Sequence, residues 1–345
     1  MKKIRWLNFG FQIGAVILAL LFTTVVLLIA GAPPLQAYLY IIKGALSSIT
    51  NISNVLSAWA PLLLTTSGVL ITFAAGLWNI GIEGQIMVGA IFTTGALRLL
   101  QNSPVSSGWI LVIGFLAGMA GGALWAALAG LLKTFGGVNE IFGGLGLNFV
   151  ATAFALYLII GPWKRPGIAS TSGTLMFPDK LWLPTLPKVQ FSVWALGLGI
   201  LVVVLIYIIL RGTHFGLRLK AIGKNSKAAL LMGVPTWQYS MFAFLLCGVF
   251  AGLAGAIQVT SVYHRLTPAI SSGYGFLGLM VAMLINYQAI WAAPVALFFA
   301  ALNIGGIQLP IVLKLDSSLS GVLQGILVLF VLLVEGARQR LFKER

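Results

Sequence analysis

The sequence predicts an all-α, polytopic membrane protein, one permease-like helical domain over residues 1–345 with about ten transmembrane helices. Three observations carry that reading. Hydrophobic residues make up 59% of the 345 and charged residues only 8%, where an ordinary soluble domain holds roughly 25% charged. Apolar runs of about twenty residues, the length a helix needs to cross a bilayer, recur along the chain. The basic residues collect at the ends of those runs, where topology and lipid headgroups draw them. The net charge of +15 is therefore read as orientation and lipid contact, and nucleic acid is excluded as a partner.

The first run, Phe11–Ala30, follows Lys2, Lys3 and Arg5. It exceeds the 7–15 residues of a signal-peptide core, so it is expected to stay as the first helix, starting inside from a cytoplasmic segment at 1–10. Residues 35–57 are mixed and Ser/Asn-rich, and are expected as an external amphipathic segment. Further spans are expected over Pro61–Ala75, Glu83–Leu100, Trp109–Leu132, Gly144–Ile160 and Phe191–Leu210. After the charged stretch 211–235 come Trp237–Val259, Gly275–Tyr287, Ala292–Ile307 and Leu319–Glu335. The two spans after 275 are short, so they are either half-helices or have misplaced ends.

Ten spans place both termini inside. Thirteen of the 21 basic residues then fall on cytoplasmic segments, including 211–235 and the tail 336–345. The polar interruption at 161–190, with five prolines, becomes an extracytoplasmic loop. This bias fits a plasma-membrane protein with cytoplasmic termini.

The two halves look comparable. Gly114, Gly118 and Gly122 recur at four-residue spacing in the first and Gly248 and Gly252 in the second, a pattern that lets helix backbones approach in lipid. Each half also holds a Gly-interrupted apolar segment, Gly76–Gly89 and Gly273–Gly278. Paired interrupted helices are a mark of transporters built from two repeats.

The interrupted stretch GLWNIGIEGQIMVGA (76–90) is the most informative. It carries Asn79, Glu83 and Gln85 at membrane depth, where polar groups persist only if protein or a water-filled cavity surrounds them. On a continuous helix Asn79 and Glu83 share a face and Gln85 points elsewhere. A mid-span carboxylate costs roughly 2.5–3.5 kcal/mol on insertion scales, which a helix N-terminus offsets. Asn79 is thus expected to cap a helix whose first turn holds Glu83. Direct contact with a transported molecule and a proton relay are the other roles open to Glu83. A second constellation is Gly136-Gly137-Val138-Asn139-Glu140 with Asn148, read as a capped helix start and an intramembrane amide, or else as ligand contacts. The third is RGTHFGLRLKAIGKNSKAALLMGVP, with five basic residues and no acidic one. Its punctuation by Gly216, Gly223 and Gly233 points to a folded docking element for a cytoplasmic partner, helical over Ser226–Met232.

Catalysis has little to stand on. No phosphate-binding G-x-x-x-x-G-K-[ST] occurs, His214 and His264 lie in separate segments, and no Ser/His/Asp group falls in a span. The single Cys247 rules out an internal disulfide or cysteine-rich metal site. No metal, cofactor or enzymatic role is expected of this chain.

Together, GLWNIGIEGQIMVGA, GGVNEIFGGLGLNF and THFGLRLKAIGKNSKAALLMGV resemble the permease subunits of bacterial ABC importers in the branched-chain amino-acid, simple-sugar and nucleoside group. The likeness runs from about residue 58 to 335, and GLWNIGIEGQ looks most like the nucleoside branch. The resemblance implies that Asn79, Glu83 and Gln85 lie by the translocation path, with Glu140 and Asn148 as further candidates. It implies that Gly216, Ala221, Gly223, Asn225, Ala228, Ala229 and Gly233 form the coupling element. It also implies the partners: a second permease, identical or not, cytoplasmic subunits that bind ATP, and an extracytoplasmic substrate-binding protein. Two departures stand out. Lys220 replaces the usual Arg of the R-A-(V/I)-G motif, and Ile285-Asn286 stands where Leu-Gly is common. An ion-coupled secondary transporter is the rival reading; it needs no partner-docking loop.

Overall fold

The computed structural model describes all residues except 1, 168–170, 187–188, 190, 287, 317 and 344–345; for 2–13, 15–16, 335 and 337–343 it describes the backbone alone. The basic side chains at the two ends, and Lys188, therefore lie outside the described residues. Every described element is helical. Helices α1 (Lys2–Ile29), α2 (Pro34–Leu46), α3 (Ile49–Ala74), α4 (Ile82–Leu100), α5 (Ser107–Thr134) and α6 (Glu140–Ile160) form the first half. The second half holds α7 (Val193–Gly212), α8 (His214–Lys224), α9 (Ser226–Leu231) and α10 (Thr236–Ile257). It continues with α11 (Tyr274–Leu284), α12 (Ala292–Gly306), α13 (Gln308–Leu313) and α14 (Leu319–Lys343).

Each of the ten segments expected to cross the bilayer contains a helix. Among the described residues, however, six helices are long and apolar enough to span, or seven if the pair 17–29 and 34–46, bent by 108°, counts as one. The difference has local causes. Helix α4 carries Glu83 in its first turn, and α11 is only 11 residues long. The last expected short span is longer than its apolar run suggested, because 289–313 stacks as one apolar helical unit.

The segment 35–57 is not one external element. Ser48 accepts a hydrogen bond from Asn51 N–H at 3.1 Å and starts α3 at Ile49, twelve residues before Pro61, which sits inside the helix. Helix α3 is the axis of the bundle, with α7, α10, α11 and α12 packed around it and an unbroken buried run from Ala60 to Phe73. Two of its hydroxyls bond carbonyls, a standard device in lipid: Thr65 donates to Leu62 O and Tyr274 O, Thr72 to Val69 O.

The two Gly-rich spans meet each other. Glycines 118 and 122 of α5 face 248 and 252 of α10, and a Cβ at Gly122 or Gly248 would overlap the other helix's backbone. Helix α4 joins the same crossing through Gly89, whose Cβ would fall on Gly252. Backbone-to-backbone contact of this kind substitutes for the hydrophobic effect, which lipid does not supply between helices.

The described stretch 171–186 packs as a cap on the segment 260–266. Thr174 N–H donates to Leu266 O and Phe177 N–H to His264 O, each at 2.9 Å, and Leu183 N–H reaches Thr260 O at 2.9 Å. Its own Phe177, Leu181 and Leu183 are buried.

Candidate functional site: a broken span and the element beneath it

The break begins where α3 ends. Gly76 takes a left-handed backbone (φ 72°); its N–H donates to Phe73 O and that of Leu77 to Thr72 O, both at 2.9 Å. This paired pattern satisfies the last carbonyls of a helix. The chain then runs non-helically to Gly81, and α4 starts at Ile82 with no side-chain cap.

That course overturns the expectation that Asn79 caps α4 and shares a face with Glu83. Asn79 lies outside any helix, so its side chain turns onto Gln85 instead. The two amides exchange hydrogen bonds, Asn79 Nδ2 to Gln85 Oε1 at 3.2 Å and Gln85 Nε2 to Asn79 Oδ1 at 3.0 Å. Asn79 also donates to Cys247 Sγ at 3.1 Å. Both amides are fully buried, where an unpaired polar group costs roughly 1–3 kcal/mol. Pairing them fastens the break to the start of α4 and to α10.

Asn148 of α6 serves the same end. Its Oδ1 accepts from Gly84 N–H at 2.8 Å and its Nδ2 donates to Ile80 O at 3.0 Å. It thereby supplies partners for backbone groups that an interrupted helix leaves open. The fit requires small residues: a Cβ on Gly144 would come within 2.6 Å of Gly81 N.

Glu83 reaches across the bundle. Its Oε1 accepts from Phe276 N–H at 3.0 Å, and Gly275 N–H and Ser271 also hydrogen-bond the carboxylate. These groups open α11, so a carboxylate from the first turn of α4 caps the second broken helix. Backbone N–H groups at a helix start attract negative charge. The expected offset by a helix N-terminus holds, but the helix is α11 as well as its own. Glu140 is different. Asn139 caps α6 by accepting from Ile141 N–H at 2.9 Å, and Glu140 ion-pairs with Lys133 at the end of α5.

Beneath the break lies a cavity of about 790 Å³ bordered by Gly76, Lys133, Glu140, Gly223, Asn225 and Trp237 among others. Residues 222–227 line its floor, where the two helices of the element 213–233 meet. Thr213 caps α8 by accepting from Gly216 N–H at 3.2 Å, and Asn225 caps α9 by accepting from Ala228 N–H at 3.0 Å. Asn225 N–H also closes α8 on Ala221 O, and the α9 end repeats the paired pattern seen at Gly76, with Gly233 (φ 81°) in the left-handed position. Helix α9 ends at Leu231, one residue before the expected Met232. Gly216 lets α8 fold onto Leu210, whose Cα lies 2.7 Å from where a Cβ would be. Lys220 donates to Leu210 O, a role for this departure from the usual arginine. Ala229 is buried, while Leu231 and Met232 next to it are 89% and 85% exposed.

The site thus pairs Asn79 with Gln85, ties Asn148 to the adjacent backbone at Ile80 and Gly84, and sends Glu83 to α11. Glu140 lies beside the lower cavity, where the Trp78 backbone in the break also hydrogen-bonds it. Sequence reasoning missed Ser271, Gly275 and Phe276 as partners of Glu83, and the exposed apolar tip at 231–232. The glycine cluster at 273–278 was the one signal pointing toward the former.

Residues 51–332 match the family described as branched-chain amino acid transport system / permease component. The chain is 31% identical to the glucose ABC transporter permease protein TsgB13 of Haloferax volcanii, over 96% of this chain and 88% of the relative. It is 26% identical to the guanosine ABC transporter permease protein NupP of Bacillus subtilis, over 92% and 91%. With the nucleoside ABC transporter permease protein NupC of Lactococcus lactis it shares 27% over 77% and 86%. A family match over residues 51–332 covers most of the chain, which belongs to the branched-chain amino acid transport system permease family.

Proposed function

We propose that this chain is the membrane-spanning subunit of an ABC importer for nucleosides, driven by ATP hydrolysis on partner subunits. The observation that carries the reading is the contact of Gly223 in α8 with Gly76 at the break. A Cβ at Gly76 would stand 3.0 Å from Gly223 Cα, so movement of α8–α9 bears directly on the interrupted span. In this reading α8 and α9 receive the ATP-binding subunits through Leu231 and Met232, and both termini are cytoplasmic. The ten helical segments cross or enter the bilayer as two related halves. A second permease subunit completes the path, and an extracytoplasmic binding protein delivers the solute. Asn79, Gln85 and Asn148 hold the path's broken wall, Glu83 fastens α11 to it, and Glu140 flanks its lower mouth.

Nucleosides are favoured by the GLWNIGIEGQ stretch and by relatives named for guanosine and nucleoside transport. The glucose permease at 31% identity makes a simple sugar the second reading. The test is uptake of radiolabelled adenosine, glucose and leucine by proteoliposomes holding the complete transporter, with Gly223→Val beside the native chain. Adenosine uptake that needs internal ATP and is lost in Gly223→Val is the expected result. Uptake driven by a proton gradient without ATP, or unimpaired in Gly223→Val with the ATP-binding subunits still attached, overturns the reading.

A further inference from the structure

A second cavity, of about 650 Å³, lies at the other end of α3. Ala58 borders it and Ala75 borders the lower cavity, roughly 25 Å apart at 1.5 Å of helix rise per residue. The volume falls within the roughly 300–1,000 Å³ of small-molecule sites.

Its walls have a particular chemistry. Trp182, from the packed cap, stacks on His264 with ring centroids 3.7 Å apart and planes 12° from parallel. Tyr263 and Tyr274 add two more rings, and the Tyr263 hydroxyl is already engaged by Ser272 Oγ at 2.9 Å. Facing this aromatic side, on α3 and α12, stand Asn54 and Asn303. Both are half-buried, and their amides hydrogen-bond to no described residue. His264 Nδ1 is also buried without a partner. Half-buried amides that bond no other side chain or backbone leave donor and acceptor sites in a concave wall open to water or to a solute that displaces it.

Among the described residues, no Asp, Glu, Lys or Arg borders the cavity, and burial holds the His264 imidazole below its ordinary pKa, favouring the neutral ring. A zwitterion would bring two charges against a described lining that holds no charged side chain, at a cost of several kcal/mol per desolvated ion; the one charge acting on His264 from outside that lining, Asp179, pairs with neither a carboxylate nor a neutral ring. Aromatic faces and free amides instead suit an uncharged ring with a hydrogen-bonding edge.

We infer that this cavity is a binding station for an uncharged, ring-bearing polar solute of the nucleoside or hexose class, read by Asn54 and Asn303 against the Trp182–Tyr263–Tyr274 wall. The inference rests on the import reading and narrows it, because it excludes free amino acids. Ser272 and Tyr274 connect the station to the path: they precede Gly275 and Phe276, whose N–H groups Glu83 holds. An occupant of the station bears on the start of α11, and through Glu83 on α4.

Two measurements on the complete transporter in nanodiscs test this. In the first, Ser57→Cys, at the cavity wall, is alkylated with a maleimide while the native Cys247 stays buried. Adenosine or glucose at millimolar concentration is expected to slow that alkylation at least tenfold, and whichever protects names the class. Protection by leucine, or by none of the three, overturns the station. In the second, Asn54→Ala and Asn303→Ala are expected to raise the KM for uptake at least tenfold, with co-purification of the ATP-binding subunits unchanged. Native KM in both variants alongside abolished uptake in Gly223→Val retires the station and leaves the permease reading intact. Uptake that survives Gly223→Val retires the permease reading itself. Should an Asn variant fail to assemble, the alkylation result decides alone.

Discussion

Gly223 packs against Gly76 so closely that neither position has room for a side chain. A Cβ at 223 would overlap Ala74 O and stand 3.0 Å from Gly76 N, and one at 76 would stand 3.0 Å from Gly223 Cα. Gly76 is also left-handed at φ 72°, a backbone that costs an L-residue about 1–2 kcal/mol. The end of α3, the break and the end of α8 therefore form one rigid joint. Gly76→Ala is expected to lower the melting temperature in detergent and to reduce uptake at least tenfold. An uptake rate within twofold of native would show that the joint tolerates separation and does not carry the coupling.

Glu83 links two helix starts, and its removal leaves the N–H groups that open α11 without an acceptor. Hydrogen bonds to charged groups contribute about 1.5–3 kcal/mol each. Glu83→Ala is expected to destabilise the folded protein by about that amount, while Glu83→Gln, which keeps an acceptor oxygen, recovers most of it. Thermal unfolding of the two variants decides the matter. If Glu83→Gln is as stable as native yet wholly inactive, the carboxylate acts in transport by its charge or proton and not by holding α11.

The Asn79–Gln85 pair makes a sharper demand, because the two amides satisfy each other. Asn79→Leu alone strands Gln85 in an apolar core and is expected to cost about 1–3 kcal/mol, and Gln85→Leu likewise. The double substitution removes both polar groups, so it should be less damaging than the two single costs added together. A double-mutant cycle by chemical denaturation in detergent measures the difference, with a coupling of about 0.5–3 kcal/mol expected for groups in contact. Strict additivity would mean the pair contributes nothing beyond its separate contacts.

How these residues meet explains what the sequence could and could not disclose. The interrupted span was legible because Asn79, Glu83 and Gln85 violate an apolar run, and such violations are costly in lipid. The element at 211–235 was legible from its glycines, since a mere charged anchor has no use for them. The partner of Glu83 was not, since Phe276 lies 193 residues away and contributes a backbone N–H that no residue type announces. The Asn79–Gln85 pairing was misjudged because a helical period was assumed across residues that turn. The start of α3 was missed although Ser48 and Asn51 mark it, as Pro61 was taken for a boundary. The upper cavity left no trace, because Asn54 and Asn303 are ordinary amides until α3 and α12 bring them together.

His264 gives the upper cavity a pH dependence whose sign follows from its burial. Desolvation beside the Trp182 ring lowers its pKa, the backbone at Thr260 and the nearby charge of Asp179 oppose that, and desolvation is the largest effect. An unfolded chain titrates this ring near 6.5, so between that value and the lower folded one the unfolded state holds more protons. Stability then rises with pH through this window. The contribution of the neutral ring is complete above about pH 6.5 and is lost as the pH falls from there toward the folded pKa. The melting temperature of the native protein is expected to be level from pH 7 to 8 and to decline below about 6.5. In His264→Gln that decline is smaller, since glutamine keeps a polar side chain without a titration. Parallel declines for the two proteins would assign the effect to another group, and a native protein more stable at pH 5.5 than at 7.5 would reverse the sign: Asp179, and not burial, would then govern the ring.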